Sequence, residues 1–176
     1  MTLGEFLQQL IEWVYDLWPV RIIREWEQGV RLRNGNRTKL LTSTNGVKGG
    51  GIHFFWPLIG EVQSEEVNVR VVETSWQTLT TKDGHAVSFS LAARYRIRDL
   101  GKMYVAIHEH EDTIQNQLSV AAAEAIQGID LADLDAMLAT AVREIAKKRL
   151  TDWGVTVLEV SLFNRVEAQT LRLLNE

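Results

Sequence analysis

Along the first 18 residues, apolar side chains recur with the period of a helix. Leu3, Leu7, Leu10, Val14 and Leu17 form a stripe that Phe6, Ile11 and Trp18 widen, while Glu5, Gln9, Glu12 and Asp16 repeat on the opposite side. That spacing predicts an amphipathic helix over residues 3–18, ended by Pro19 because the residue before a proline is steered out of helical geometry. The period then shortens to two. Val30 and Leu32 alternate with arginines, Asn34-Gly35 is a two-residue hairpin signal, and residues 39–42 form the returning strand. After a glycine-rich loop at 44–51 comes the apolar run Ile52-His53-Phe54-Phe55-Trp56-Pro57-Leu58-Ile59. Val67, Val69 and Val71 share one face of the next segment. A second hairpin is predicted around Lys82-Asp83-Gly84-His85, with Val87, Phe89, Leu91, Tyr95 and Ile97 on one face of its second arm.

Past Asp99 the helical period returns. Met103, Ile107, Ile114, Leu118, Ala122 and Ala125 predict one helix that stops near Gly128. A second carries Leu134, Leu138, Val142, Ile145 and Arg149, with Asp130 as its cap. Trp153-Gly154 closes that helix, residues 155–163 return to extended structure, and 166–176 read as helical again. The predicted class is α+β: a β-rich half, then two helices, a strand and a helical tail.

Composition alters this picture little. Of 176 residues 45% are hydrophobic and 24% charged, as in an ordinary globular domain. Cysteine is absent, which removes disulfides, thiolate zinc sites, cysteine nucleophiles and S-palmitoylation. Thr2 removes N-myristoylation, and the leading segment has neither the length of a spanning helix nor the basic start of a secretory signal. Charge is more informative. Residues 1–19 carry −3, residues 20–60 hold seven basic against two acidic side chains (+5), and residues 61–176 carry −6. A basic block behind an aromatic amphipathic segment fits the cytoplasmic flank of a membrane element and equally a solvated sheet edge.

Chemical motifs are weak. Lys48-Gly49-Gly50-Gly51 lacks the lysine and hydroxyl that follow the last glycine of a phosphate loop, and leads into a strand, so it reads as a turn. In His108-Glu109-His110-Glu111-Asp112, helical spacing pairs His108 with Asp112 only, which reads as a solvated acidic helix start rather than a metal site. Asp83 and His85 lie in a tight turn without a nucleophile. No nucleic-acid motif accompanies Trp26 and Trp56 in the basic block. The residues therefore nominate no catalytic, cofactor or metal site. What they do nominate is aromatic: Phe6, Leu10, Trp13, Leu17 and Trp18 in the first helix, and Phe54, Phe55 and Trp56. Such side chains suit a membrane interface and suit equally the packing of a core or a partner helix.

The ordered motifs carry more than any one alone. Glu27-Gln28-Gly29-Val30, Leu32-Arg33-Asn34-Gly35-Asn36 and Gly51 to Pro57 resemble the opening of the SPFH (band 7) domain of stomatins, prohibitins and flotillins. Val69-Arg70, Thr80 to Val87, Arg94 to Asp99 and Leu150 to Val155 continue the resemblance in order, over residues 20–165. It implies four parts: a membrane-interface helix at 1–19, a β-rich subdomain at 20–99, an α/β subdomain at 100–165 and the start of a C-terminal helix at 166–176. It further implies a non-enzymatic homo-oligomer that forms rings or cages on the cytoplasmic face of a membrane. The implied partners are the lipid surface and a membrane protein or membrane protease, with no cofactor and no nucleic acid. On that reading residues 52–59 touch the membrane, and Gly29, Gly51, Asp83 and Gly154 serve the fold. The family's usual coiled-coil tail would begin near residue 166, so lateral contacts between domains would have to close a ring. The reading from a different class is a soluble binding module, cellular or viral, that docks a protein partner through its Trp-rich N-terminal helix.

Overall fold

Paired strands in two separate compact units, residues 1–68 and 69–176, carry the architecture. The computed structural model describes residues 4, 5, 8, 19–56, 59–107 and 109–167. Gly4, Glu5 and Gln8 are helical, and the rest of the predicted first helix lies outside the described residues.

The first unit holds β1 (Val20–Ile22), β2 (Glu27–Arg33), β3 (Asn36–Leu41), β4 (Ile52–Phe54) and β5 (Gly60–Glu66). Asn34 and Gly35, both at positive φ (51° and 75°), close the β2–β3 hairpin as the sequence predicts. β5 pairs with the other edge of β2, giving the order β3-β2-β5. β1 and β4 form a separate two-stranded ribbon. Ile23, 1% exposed, ties that ribbon down: its N–H donates to the Gly51 carbonyl at 2.8 Å. A Cβ on Gly51 would stand 2.1 Å from the Ile23 carbonyl oxygen, so no larger residue fits there.

The second unit holds β6 (Arg70–Glu73), β7 (Gln77–Thr80), β8 (Ala86–Ile97), α1 (Leu100–Ala106), α2 (His110–Ile126), α3 (Leu134–Thr151) and β9 (Val155–Glu167). β8 is central. Along one edge it pairs first with β7 and then with β6, and β9 follows its other edge over its whole length. Its inward residues Val87, Phe89, Leu91, Ala93, Tyr95 and Ile97 are all buried, as the alternation predicts. Ile114, Leu118, Ala121, Ala122 and Ile126 of α2, with Leu134, Leu138, Val142, Ala146 and Leu150 of α3, complete this core. β9 carries two extra residues relative to β8, Leu158 and Phe163, and both are exposed. Each extra residue reverses the strand's in-out parity, so its inward side passes from Val155 and Val157 to Val160.

Four expectations shift. The single helix over 103–125 is two, α1 and α2, separated by Ile107 in extended geometry and Glu109 at φ 52°. Ile107 and Ile114 are seven apart and so share a face in an unbroken helix, which hides the break from periodicity. Asp130 does not cap α3. A 3-10 turn at Leu131–Asp133 precedes that helix, and the Asp130 carboxylate faces Lys82 at 3.7 Å. Asp83 takes the capping role from across the fold, its Oδ2 accepting from the Leu131 N–H at 3.2 Å. Val166 and Glu167 are strand rather than helix because β8 supplies Ser88 and Val87 as their partners; residues 168–176 lie outside the described ones. Finally, the two units divide after residue 68, not at the change from strand to helix at 99, because β6, β7 and β8 share one sheet with β9.

The motif around Asp83 is thus a structural clamp. The Thr81 hydroxyl donates to Asp83 Oδ1, and the Lys82 N–H donates to the Ile129 carbonyl at 3.0 Å. The Thr81 hydroxyl first, with a further contribution from the Leu131 N–H, holds the Asp83 carboxyl below its ordinary 3.8. At the other end of β8, the Gly154 carbonyl accepts from both Arg98 and Asp99 N–H groups (2.8 and 3.0 Å), and the Asp99 side chain caps α1 through Lys102 N–H.

Two predictions follow from these clamps. Gly154 sits at φ +77° and a Cβ there would lie 2.4 Å from the Asp99 carbonyl oxygen, so Gly154→Ala should cost about 2 kcal/mol or more. Gly128→Ala, whose nearest contact is 3.7 Å, should stay within about 0.5 kcal/mol, both read from urea midpoints. A lowered carboxylate pKa adds stability that is present above the ordinary value and lost as pH falls through the folded one. The melting temperature of Asp83→Ala should therefore lie below the parent's at neutral pH, and the gap should shrink as pH falls below 3.8.

Candidate functional site

In β1 the order Val20-Arg21-Ile22 places Arg21 on one side and its neighbours on the other. The register with β4 sets Val20 opposite Phe54, Arg21 opposite His53 and Ile22 opposite Ile52. One face of the ribbon is therefore Val20, Ile22, Ile52 and Phe54, and the other is Arg21 and His53.

The two faces are oriented against the usual rule. His53 is 6% exposed, with Nε2 2.8 Å from the Thr42 carbonyl oxygen, and Arg21 Nη2 donates to Ser64 Oγ at 2.8 Å. His53 is thus held inside its own unit, while Arg21 on the same face stays exposed. Ile22, Ile52 and Phe54 are 63%, 45% and 60% exposed. Trp56, two residues beyond Phe54, is 61% exposed, and Ile59 and Trp26 are exposed as well. Single exposed apolar residues are ordinary, but three on one face of a ribbon whose other face holds a buried histidine mark a surface built for an apolar contact. Removing each such side chain from water is worth about 1.5–3 kcal/mol.

Of the residues that the sequence nominates, Phe54 lies on this surface and Trp56 is exposed two residues beyond it. Phe55, of opposite parity, is half-buried, its N–H donating to the Pro19 carbonyl at 3.0 Å. Phe6, Leu10, Trp13, Leu17 and Trp18 lie outside the described residues. Ile22 was missed, and Ile52 was named only within the run 52–59, because the two meet only through a strand pairing thirty residues apart. The signal was the alternation of apolar and polar residues in both short segments.

The weaker chemical candidates resolve into structure. In the glycine-rich loop, the N–H groups of Gly46, Gly49 and Gly50 donate to carbonyls of the loop itself, so they do not converge on a ligand. His110 Nε2 lies 3.1 Å from Arg70 Nη1, a cation where a metal reading would need another ligand; His108 is outside the described residues. His85 stands between Asp83 and Glu167, 3.8 and 3.6 Å away. Among the described residues no helix is long and apolar enough to cross a membrane.

Comparison with known proteins places the chain in a family. An uncharacterized protein of Archaeoglobus fulgidus is 24% identical over 149 residues, which is 81% of this chain and 56% of the relative. The chain thus spans little more than half the length of that protein. The family described as SPFH domain / Band 7 family matches residues 21–171, and its members are, at a coarse level, membrane-associated and generally non-enzymatic scaffolds. With most of its length matched and both units included, the chain belongs to the SPFH domain / Band 7 family.

Proposed function

We propose that the chain is a membrane-associated scaffold whose first unit contacts lipid through the apolar face of the β1–β4 ribbon. Copies assemble laterally, as a ring or cage on the cytoplasmic face, to organise the membrane or regulate a membrane protein or membrane protease bound there. The observation that carries this reading is the inverted ribbon, with His53 buried and Ile22, Ile52, Phe54 and Trp56 in water. Four exposed apolar side chains per copy bind a bilayer weakly, and multiple copies convert weak contacts into stable attachment by avidity. The amphipathic, tryptophan-bearing pattern of residues 3–18 adds a second interfacial segment beside the ribbon in the sequence.

Liposome flotation tests it. The full chain should float with vesicles, and removal of residues 1–18 should weaken flotation without abolishing it. Phe54→Ser combined with Trp56→Ser should weaken binding at least about tenfold, since two exposed side chains lose their burial in lipid. Circular dichroism should match the parent, because neither side chain belongs to the core. A full chain that stays in the soluble fraction at high concentration would sink the membrane reading. Mass photometry in detergent should show assemblies larger than a monomer, and a monomer alone would contradict the lateral scaffold.

A further inference from the structure

Beside the apolar face lies a groove of about 460 Å³ along β1. Its described lining is Val20, Arg21, Ile22, Arg24 and Glu27. We propose that this groove binds the anionic phosphate of a membrane lipid headgroup, with the two guanidinium groups as its donors. The inference rests on the membrane reading above and names the lipid class that the same surface selects.

Three features support it. Neither arginine meets a carboxylate among the described residues: Arg21 spends one N–H on Ser64 Oγ, and Arg24 lies 5.6 Å from the centre of the Trp26 ring. A guanidinium has five N–H donors in a fixed fork, so both retain donors suited to a phosphate. The one acidic residue of the described lining, Glu27, has Oε2 engaged by the Arg24 backbone N–H at 3.2 Å. Val20 and Ile22 line the groove and also belong to the apolar face, so charge and hydrocarbon contact are continuous over a few residues. A free phosphate would satisfy the arginines and leave Ile22 in water. A lipid satisfies both, its headgroup meeting the arginines and its acyl region meeting the ribbon.

Sedimentation of the full chain with phosphatidylcholine vesicles, with and without a minor fraction of phosphatidylglycerol, tests this. The parent should prefer the anionic vesicles. Arg21→Gln with Arg24→Gln should bind those vesicles about thirtyfold more weakly, at roughly fivefold for each arginine near the surface, and should keep its binding to neutral vesicles. Arg33→Gln with Arg37→Gln is the control. Arg33 lies six residues along β2 from Glu27, about 20 Å away, so that pair should retain most of the preference. Equal binding of the parent to neutral and anionic vesicles would overturn the headgroup site and leave the membrane contact standing. An equal loss in the control pair would also overturn it, by showing diffuse attraction rather than a site. Release from anionic vesicles by inorganic phosphate, but not by chloride at the same ionic strength, would assign the groove to a soluble anion instead. No binding to either vesicle would overturn both readings.

Discussion

The contact between His53 Nε2 and the Thr42 carbonyl, at 2.8 Å, decides which way the β1–β4 ribbon faces. Successive side chains of a strand point to opposite sides, so holding one residue inward places both neighbours outward. With His53 inside, Ile52 and Phe54 must face out, and the pairing of Arg21 with His53 sends Ile22 and Val20 the same way. Ile23 fixes the position of the ribbon by lying against Gly51 too closely for any side chain. The exposed apolar face is therefore a consequence of specific polar anchoring rather than a loose end of the core. A one-residue slip of β4 would bury Phe54 and expose His53.

The second unit depends on a different constraint, the full pairing of β8 on both edges. Its inward residues meet α2 and α3, and its two ends are locked by distant motifs. At the start, Asp83 bonds the first N–H of the turn before α3; at the finish, the Gly154 carbonyl collects two N–H groups from the Arg98-Asp99 corner. Each motif ties one end of the strand to the chain segment that must pack against it. Residues that serve in this way need not form a pocket, and among the described residues no three His, Asp or Glu side chains are grouped to hold a metal.

Much of the fold was legible where the pattern is local. The Asn34-Gly35 and Asp83-Gly84 turns, the alternation from Val87 to Ile97 and the stripe at Leu134, Leu138 and Val142 appear in the structure as read, although that stripe continues inward through Ala146 and Leu150 while Ile145 and Arg149 are half-buried. Errors arose where a distant segment supplies the missing information. Ile107 and Ile114 keep helical phase across a real break. Asp130 looks like a cap until Lys82 and Asp83 arrive beside it. Val166 and Glu167 look helical until β8 offers them partners. In the candidate site, Phe54 and Trp56 stand out by composition and Ile52 belongs to their apolar run, whereas Ile22 is marked only by a short alternation with Arg21.

Amino-acid order alone settled the α+β class, the family and the apolar, tryptophan-rich character of the segments flanking the basic block. Those are properties of neighbouring residues, carried by period, turn chemistry and charge, and they survive without knowing what touches what. Tertiary structure decided which face of the ribbon is exposed, and that two arginines share a groove with Val20 and Ile22. The physical reason is that strand pairing joins residues thirty positions apart, and burial of His53 depends on a carbonyl that no local pattern identifies.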